Sequence, residues 1–525
     1  MNRSGANLLD LPDEVLFIIL KKLHNIDVLY SLFGINNKRL DILVEDGMFT
    51  NILNFGRTSS IIDKKLDRFY TTILPRIHYS VKNLILEATS IERILLVGDY
   101  PNLAFLEILN FGQEIVNRYF TDNSALQHIL KYQITELVLH NHDKYSTKTS
   151  LKTYITHVYA HIMLFQNLKQ LTIVASSINE YPPLSFTNLP STIYFSSTLT
   201  VLCICVFGFD DCLLLLDGRL KQLTTFIIQV HNIYKASFIR SSMDELKSLK
   251  CFSLISYNMT YDYEYLVLPL LRRMTRLEKL TLCLRIWRDS FIDGTHLSNE
   301  FLDHMCELRT ITFYISTEGM ARDSVYRKSS DDIQKAFTNI KYGPTACFID
   351  HFHKFEAICH VYSLPFTFTR LEKITTHFPN IVLDTVTHFL LFDITLMKHE
   401  FFMRISRAFP MLMRLTTVNT MIQSWNRNEL KSDKNPFNSI IEFSHLISLD
   451  LRRANTDYVV QFLLETRTYL PCLTEFKVNY NDLVFVTARF ARDATRRNCF
   501  NVKQFIFEKQ IYYSKDIYQY FPSLL

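Results

Sequence analysis

Leu199-Thr200-Val201-Leu202-Cys203-Ile204 spaces its apolar residues as L-x-x-L-x-L, and this spacing recurs, with apolar substitutes, along most of the chain. The second and third apolar positions alternate along a short strand, so both side chains lie on one face of it. The first apolar residue turns the chain into that strand. One such unit cannot bury its apolar face alone, whereas stacked units share a continuous core and a parallel sheet.

Copies of the pattern begin at Val81, Leu103, Ile134, Leu168, Leu199, Leu223, Leu249, Leu277, Leu308, Leu371, Leu412, Leu446, Leu473 and Val502. From the first copy to the ninth, (308 − 81)/8 gives a period of about 28 residues, which is typical of leucine-rich repeats. We therefore predict an α/β fold in which residues 79–525 form an irregular leucine-rich-repeat solenoid, a parallel sheet with helical crossovers. Residues 317–367 interrupt the pattern and are interpreted as an irregular insertion. The alternative is a large α/β domain with many amphipathic strands.

Composition excludes several classes of function. The 525 residues include 57 Lys and Arg against 52 Asp and Glu, a net charge of only +5, so no overall field attracts nucleic acid or a membrane surface. Only 11 residues are Gly, and none are spaced for a glycine-rich phosphate-binding loop. We expect no nucleotide-dependent chemistry, no cofactor and no nucleic-acid partner.

The cysteines and apolar runs bear on location. The ten cysteines include no C-x-x-C pair, and Cys203, Cys251 and Cys283 are expected to act as small core residues. The segment Met1 to Asp13 lacks the long apolar stretch of a signal peptide. The longest apolar run, Val201–Phe209, falls short of the ~20 residues that span a bilayer. We expect a reduced protein of the cytoplasm, the nucleus or both, without a membrane partner.

The N-terminal part reads as helices. Residues 1–48 predict a three-helix domain, and residues 49–78 predict linker helices. In the first helix, Leu16, Ile19, Leu20 and Leu23 recur at three- and four-residue spacing and predict one buried stripe. Phe17 and Ile18 lie off that stripe. A block of ~40 residues buries little of its own apolar surface, so exposed residues of this kind suggest a protein partner.

The stretch Leu11-Pro12-Asp13-Glu14-Val15-Leu16-Phe17-Ile18-Ile19-Leu20-Lys21-Lys22-Leu23 resembles an F-box. Its continuation supplies the Asp-x-Leu of the family at Asp27 and Leu29 and a basic pair at Lys38 and Arg39. Leu40 stands where the family usually has Trp. Together with the repeats, this segment resembles the substrate receptors of SCF-type cullin–RING ubiquitin ligases.

The resemblance implies that the F-box docks on the S-phase-kinase-associated adaptor, and through it on the cullin, while the repeats bind a protein substrate. Such a receptor performs no bond chemistry, so no enzymatic activity is expected. The candidate adaptor-binding residues are Leu11, Pro12, Glu14, Val15, Phe17, Ile18, Ile19 and Leu29. For Leu11 and Leu29, a role in closing the core of the block is equally open. A repeat scaffold that binds partners without a ligase is the alternative function.

Two further clusters carry possible chemistry. Residues 350–360 hold His351, His353, Glu356 and His360, and on a helix Glu356 would share a face with both His353 and His360. That spacing suits a metal, but no second ligand cluster accompanies it, so we interpret it as a hydrated helix face and expect no metal site.

The second cluster is basic and comprises Arg489, Arg492, Arg496, Arg497 and Lys503. It could contact phosphate or an acidic segment of a substrate. We interpret it instead as the solvated face of an amphipathic helix over residues 482–497, because no general excess of basic residues accompanies it.

Overall fold

The computed structural model of the chain describes residues 8–56, 63–111, 118–119, 126–141, 165–174, 196–234, 244–320, 329–337, 341, 343–353, 356–421, 439–507 and 515–524. The chain divides into two compact units. The first comprises Met1–Asn258, Asp262–Leu280 and His304–Leu308. The second comprises Met259–Tyr261, Thr281–Asp303 and Arg309–Leu525. Both are mixed α/β and contain large parallel sheets.

The first unit begins with short helices. Its helices are α1 (Asp13–Leu20), α2 (Asn25–Leu32), α3 (Lys38–Val44), α4 (Gly47–Thr50), α5 (Asp63–Arg68), α6 (Leu74–Ile77), α7 (Ile91–Leu95), α8 (Phe209–Leu215) and α9 (Leu268–Arg272). Its strands are β1 (Ile52–Asn54), β2 (Asn83–Glu87), β3 (Phe105–Phe111), β4 (Glu136–Asn141), β5 (Gln170–Val174), β6 (Val201–Gly208), β7 (Thr225–Asn232) and β8 (Cys251–Thr260). Single π-helical turns lie at Phe69–Ile73, His128–Gln133 and Tyr263–Val267.

The strands β1 to β8 pair in chain order, and every pair is parallel. The second apolar residue of each repeat lies opposite its counterpart in the next strand, in a buried ladder of Leu84, Leu106, Leu137, Leu171, Leu202, Phe226 and Phe252. The first apolar residues, Val81 to Leu249, are buried as well. The apolar residues of the repeating pattern thus form the core of this unit. Each strand buries one face against the segments that connect neighbouring strands.

The same backbone hydrogen bonds recur where each strand begins. Thr224 and Thr225 both donate their N–H groups to the carbonyl of Thr200, at 2.9 and 3.0 Å. Lys250 and Cys251 donate in the same way to Thr224. These bonds lock the register of each repeat to that of the preceding one, since a one-residue slip would place the buried side chains on the opposite face.

The second unit contains the remaining strands and helices. Its strands are β9 (Lys279–Trp287), β10 (Thr310–Met320), β11 (Thr345–His353), β12 (Glu356–Ser363), β13 (Arg370–Ile374), β14 (His388–Phe392), β15 (Arg414–Asn419), β16 (Ile441–Glu442), β17 (Ser448–Ala454), β18 (Thr468–Tyr469), β19 (Glu475–Lys477) and β20 (Gln504–Ile506). Its helices are α10 (Gly294–Glu300), α11 (Ser330–Lys335), α12 (His399–Ala408), α13 (Thr456–Leu463), α14 (Tyr480–Val486), α15 (Arg496–Cys499) and α16 (Lys515–Tyr520).

A six-stranded parallel sheet in the order β13-β14-β15-β17-β19-β20 forms most of this unit. It repeats the buried ladder of the first unit with Leu371, Phe389, Leu415, Leu449, Phe476 and Phe505. The strands β16 and β18 form a small separate parallel pair.

Two segments differ from what the sequence predicts. The interruption at residues 317–367 contains an antiparallel hairpin, β11–β12, and β12 also pairs antiparallel with β10. Within 49–78, where only helices were expected, Ile52–Asn54 is a strand that pairs with β2. Three residues are too few for a period to show in the sequence. Among the described residues, no helix combines the length and the apolar character needed to cross a membrane.

Candidate functional site

The N-terminal block, residues 9–56, has a core centred on α2. Leu29 on this helix is fully buried, as are Ile26, Val28 and Phe33. The helix contacts α3, α4 and β1. At its N-terminus, the Asn25 side-chain amide donates to the carbonyls of Met48, at 3.2 Å, and Ile52, at 2.9 Å. Leu29 therefore has no surface to offer a partner, and the assignment of Leu29 as an adaptor contact is corrected: it closes the core of the block.

The guanidinium of Arg39 on α3 holds the segment that precedes α1. It donates to the carboxylate of Asp13 at 2.6 Å and to the carbonyl of Leu9 at 2.7 Å. A third bond reaches the carbonyl of Leu11. Three donors of one rigid group thus fix the position of Leu11 and Pro12 ahead of the helix. From the sequence, only the basic character of this position could be predicted.

The helix α1 has two apolar faces. Leu16 and Leu20 are buried, and they attach the helix to the block. Val15, Ile18 and Ile19, spaced for a second face, have exposed fractions of 40%, 61% and 39%. Leu23, in the turn that follows, is 53% exposed. We call Val15, Ile18, Ile19 and Leu23 the α1 ridge.

The α1 ridge shows that the prediction of a single buried stripe on the first helix is wrong for two of its four residues. Ile19 and Leu23 were expected to pack inward with Leu16 and Leu20, but they lie on the surface. An apolar residue at three- or four-residue spacing satisfies either face of so short a helix, so periodicity alone does not separate the two faces.

The other predicted site residues lie beside the ridge. Pro12 and Glu14 are exposed, and Leu11 and Phe17 are half-buried. The Phe17 ring packs edge-on against that of Phe49, with centroids 5.3 Å apart. Pro12, Glu14, Val15, Ile18 and Ile19 are therefore accessible together, and Leu11 and Phe17 are accessible in part.

Sequence reasoning missed further exposed apolar residues of the block. These residues are Leu9, Ile35, Ile42, Met48 and Ile52, with Ile42 the most exposed at 72%. A signal existed for Ile42, because Leu40 and Val44 are four residues apart and lie on the buried face of α3, and Ile42 lies off that spacing. The block as a whole leaves much apolar surface in water.

The described part of the histidine-rich stretch, residues 350–353 and 356–360, is not helical. It lies in the two strands of the hairpin β11–β12, and His353 pairs with Glu356 across it. The prediction that Glu356 shares a helix face with His353 and His360 is therefore wrong. Among the residues that the structure describes, no group of three or more His, Cys, Asp or Glu side chains is arranged to hold a metal ion.

His360 lies in an aromatic environment inside the second unit. It is fully buried, its ring stacks on that of Phe348 at 4.4 Å, and its Nδ1 lies 3.0 Å from the hydroxyl of Tyr314. Burial, with a smaller effect of Arg285, lowers its pKa to about 3. His360 is thus a neutral core residue at physiological pH.

The basic cluster near the C-terminus is not one helix face. The helix α14 ends at Val486, and Ala488, Arg489 and Phe490 follow with φ of 49°, 59° and 65°. Three successive residues in the left-handed region cannot continue an α-helix, so the expected helix over 482–497 is corrected.

Two arginines of this cluster make local contacts. Arg496 pairs with Asp493 at 2.9 Å, and its guanidinium also lies 5.1 Å from the ring of Tyr520. The Arg497 guanidinium lies 4.1 Å from the ring of Tyr469. These contacts stabilise the surface near the C-terminus and give no indication of a phosphate site.

The three cysteines expected in the core divide between two environments. Cys283 is buried, and burial raises the pKa of its thiol. Cys203 and Cys251 are only half-buried, because they occupy the strand positions between the buried residues of β6 and β8. The prediction of a core role is therefore confirmed for Cys283 and wrong for the other two.

In comparisons with known proteins, no protein-family model matches this sequence, and no curated protein matches it. The functional assignment therefore depends on the surfaces described above.

Proposed function

We propose that this protein is a substrate-recognition subunit of an SCF-type ubiquitin ligase. The N-terminal block is proposed to be an F-box-like domain that docks on the S-phase-kinase-associated adaptor, and through it on the cullin. The repeats are proposed to be an irregular leucine-rich-repeat solenoid that binds a protein substrate. The observation that carries this proposal is the α1 ridge, which lies within the F-box-like sequence and outside the core.

The energetics of the ridge support a docking role. Burial of a fully exposed aliphatic side chain contributes about 1.5–3 kcal/mol, and the ridge residues leave much of that unused in the free protein. They are adjacent to Pro12 and to the half-buried Leu11 and Phe17. A compact apolar cluster with charged neighbours, such as Glu14 and Lys22, is typical of a protein interface.

The repeats supply the second half of the proposal. A parallel sheet whose strands bury one face leaves the other face available, and stacked repeats commonly use such extended surfaces to bind partners. Neither half requires bond chemistry, so we assign no catalytic residues, metal or cofactor. A location in the cytoplasm or nucleus belongs to the same proposal.

A pull-down with the purified adaptor–cullin complex tests the docking half. Replacing Leu11 and Pro12 together with Ala should abolish capture, because the segment ahead of α1 would lose its apolar contacts. Val15→Asp with Ile18→Asp should do the same, since two carboxylates would have to be buried against the partner. Loss of a central anchor costs ~2 kcal/mol or more of binding, a reduction of about 30-fold.

Val382→Asp is the matched control, because Val382 is 67% exposed but lies in the second unit. It should leave capture unchanged, and circular dichroism should show that all variants remain folded. Capture that survives both double substitutions would leave the alternative function, a repeat scaffold that binds partners without a ligase.

A further inference from the structure

The sheet of the first unit has a half-exposed face. On β2 to β8, the residues between the buried positions point away from the core, and most of them are half-buried. They include Ile85, Glu87, Glu107, Leu109, Glu136 and Val138. We call this surface the open face.

The charge of the open face is one-sided. It carries three carboxylates, Glu87 on β2, Glu107 on β3 and Glu136 on β4. At its described positions on β2 to β8 it carries no Lys or Arg, although the chain as a whole has a net charge of +5. A ligand with positive charge is therefore complementary to this face, and an anionic one is repelled.

Each of the three carboxylates is oriented by a side chain from the next strand. The amide of Asn110 donates to Glu87 at 2.5 Å, and that of Gln170 donates to Glu136 at 3.1 Å. The Nε2 atom of His140 lies 2.7 Å from Glu107. The amide donors fix the carboxylates of Glu87 and Glu136 without neutralising them, whereas the imidazole of His140 neutralises Glu107 only when it is protonated.

The register places the three carboxylates on a diagonal. Glu87 lies opposite Leu109, which is two residues beyond Glu107, and Glu107 lies opposite Val138, two residues beyond Glu136. Each step along the diagonal is therefore one strand and two residues. With strands about 4.8 Å apart and a rise of about 3.3 Å per residue, the step is about 8 Å.

This spacing resembles that of an extended peptide. Side chains on one side of an extended chain repeat every two residues, or about 6.6 Å, and long flexible side chains accommodate the small difference. Ile85, Leu109 and Val138 flank the diagonal. Lys and Arg can lay their alkyl stems over such apolar residues while their charged ends reach a carboxylate.

We infer that the open face binds an extended segment of a protein partner that carries Lys or Arg at alternate positions, with its basic side chains over Glu136, Glu107 and Glu87. The inference rests on the second half of the proposed function, because it names the class of substrate that the repeats bind. Nucleic acid and anionic membranes are excluded as occupants by the sign of the charge.

Binding of fluorescein-labelled peptides to the full-length protein, followed by fluorescence anisotropy, tests this inference. The probe is a peptide in which Lys alternates with Thr. A peptide of the same composition with its Lys residues adjacent controls for charge alone, and one with Glu in place of Lys controls for its sign. The alternating peptide should bind most tightly, and its affinity should fall several-fold when salt is raised to about 0.5 M.

The decisive variant combines Glu87→Gln, Glu107→Gln and Glu136→Gln, which preserves side-chain shape and removes three charges. It should weaken binding of the alternating peptide about tenfold or more, because each exposed ion pair contributes a fraction of a kcal/mol. The matched control combines Asp99→Asn, Glu245→Gln and Glu307→Gln. These residues are exposed acids of the same unit that lie outside the open face, and their loss should change affinity by less than twofold.

Equal binding of the alternating and adjacent-Lys peptides, or equal effects of the two triple variants, would overturn the inference. Absence of peptide binding would also overturn it. The adaptor pull-down separates this failure from that of the proposed function, since the Gln variants leave the α1 ridge intact. Capture of the adaptor without peptide binding refutes only the substrate class, and peptide binding without adaptor capture refutes only the ligase role.

Discussion

Single residues determine how the N-terminal block presents its surface, and Arg39 is the clearest example. Its guanidinium joins α3 to Asp13 and to two carbonyls of the segment before α1. A lysine carries the same charge but cannot supply three donors in one plane. Arg39 therefore acts on docking through the position of Leu11 and Pro12, without belonging to the ridge.

Replacing Arg39 with Lys should loosen the segment from Leu9 to Asp13 and weaken adaptor capture. The side chains of Arg39 and Asp13 are 39% and 53% exposed, so we expect a stability loss of only about 1 kcal/mol. Urea unfolding measures the stability, and amide hydrogen exchange of residues 9–16 should become faster. Lys22→Ala, an exposed change on the same block, should leave both unchanged; a similar effect there would contradict this role of Arg39.

At the scale of elements, α1 separates folding from binding on its two faces. Leu16 and Leu20 attach the helix to the core, whereas Val15, Ile18 and Ile19 face solvent. A helix of eight residues is too short to be stable alone, so the buried pair is what keeps the ridge in place.

Leu16→Ala should therefore mainly reduce stability, whereas Ile18→Ala should mainly reduce adaptor binding. Leu16→Ala should destabilise the protein by about 2–5 kcal/mol, because it leaves a cavity in the core. Ile18→Ala should cost less than about 0.5 kcal/mol in stability but should weaken adaptor binding. Urea unfolding and the adaptor pull-down together measure both quantities. Equal losses of stability would contradict the two-face description.

Two segments have a secondary structure that differs from what their local residue spacing predicts. The spacing of His353, Glu356 and His360 fits a helix, but the same residues belong to the hairpin β11–β12. The strand β12 also pairs with β10, which lies earlier in the sequence, so contacts outside this segment support its extended conformation. Likewise, the apolar spacing after Asp482 continues past Val486, where the backbone leaves the helix.

At the scale of the whole molecule, the N-terminal block is built into the first unit. The Arg68 guanidinium donates to the carbonyl of Phe33 at 2.7 Å, Arg76 pairs with Glu45 at 2.8 Å, and Tyr30 stacks on Phe69. Deletion of residues 1–48 would remove these partners and uncover the buried Phe69. Substitutions on the α1 ridge are consequently a sharper test of docking than the deletion.

The second unit should lose stability in mild acid. Burial lowers the pKa of His360 to about 3, and burial with Arg414 and Arg370 lowers that of His388 to about 4. In the unfolded chain these two histidines have a pKa near 6.5, so as the pH falls they bind protons that they do not bind in the folded protein. The contribution of these histidines to the free energy of unfolding is therefore fully present above about pH 6.5 and is lost as the pH drops toward 3.

For His360 alone, the loss between pH 7 and pH 5 should be about 2 kcal/mol in the free energy of unfolding. Urea unfolding at a series of pH values measures it. The His360→Gln variant has no imidazole to titrate at this position. The slope of its free energy of unfolding against pH should therefore be smaller by the equivalent of about one proton, whatever its absolute stability. An unchanged slope in that variant would show that His360 is protonated in the folded state.

The recurring L-x-x-L-x-L spacing by itself predicted the parallel ladders, because a strand with one apolar face can bury that face by stacking on neighbours with the same pattern. Separately, the three- and four-residue spacing in the first helix identified Leu16 and Leu20 as core residues, and Phe17 and Ile18, which lie off that spacing, indicated additional apolar surface. Only the tertiary structure decided that Leu29 is buried, that Ile19 and Leu23 are exposed, and that Glu87, Glu107 and Glu136 form one diagonal. Periodicity reports which faces of an element are apolar, whereas burial and register depend on which distant elements pack against those faces.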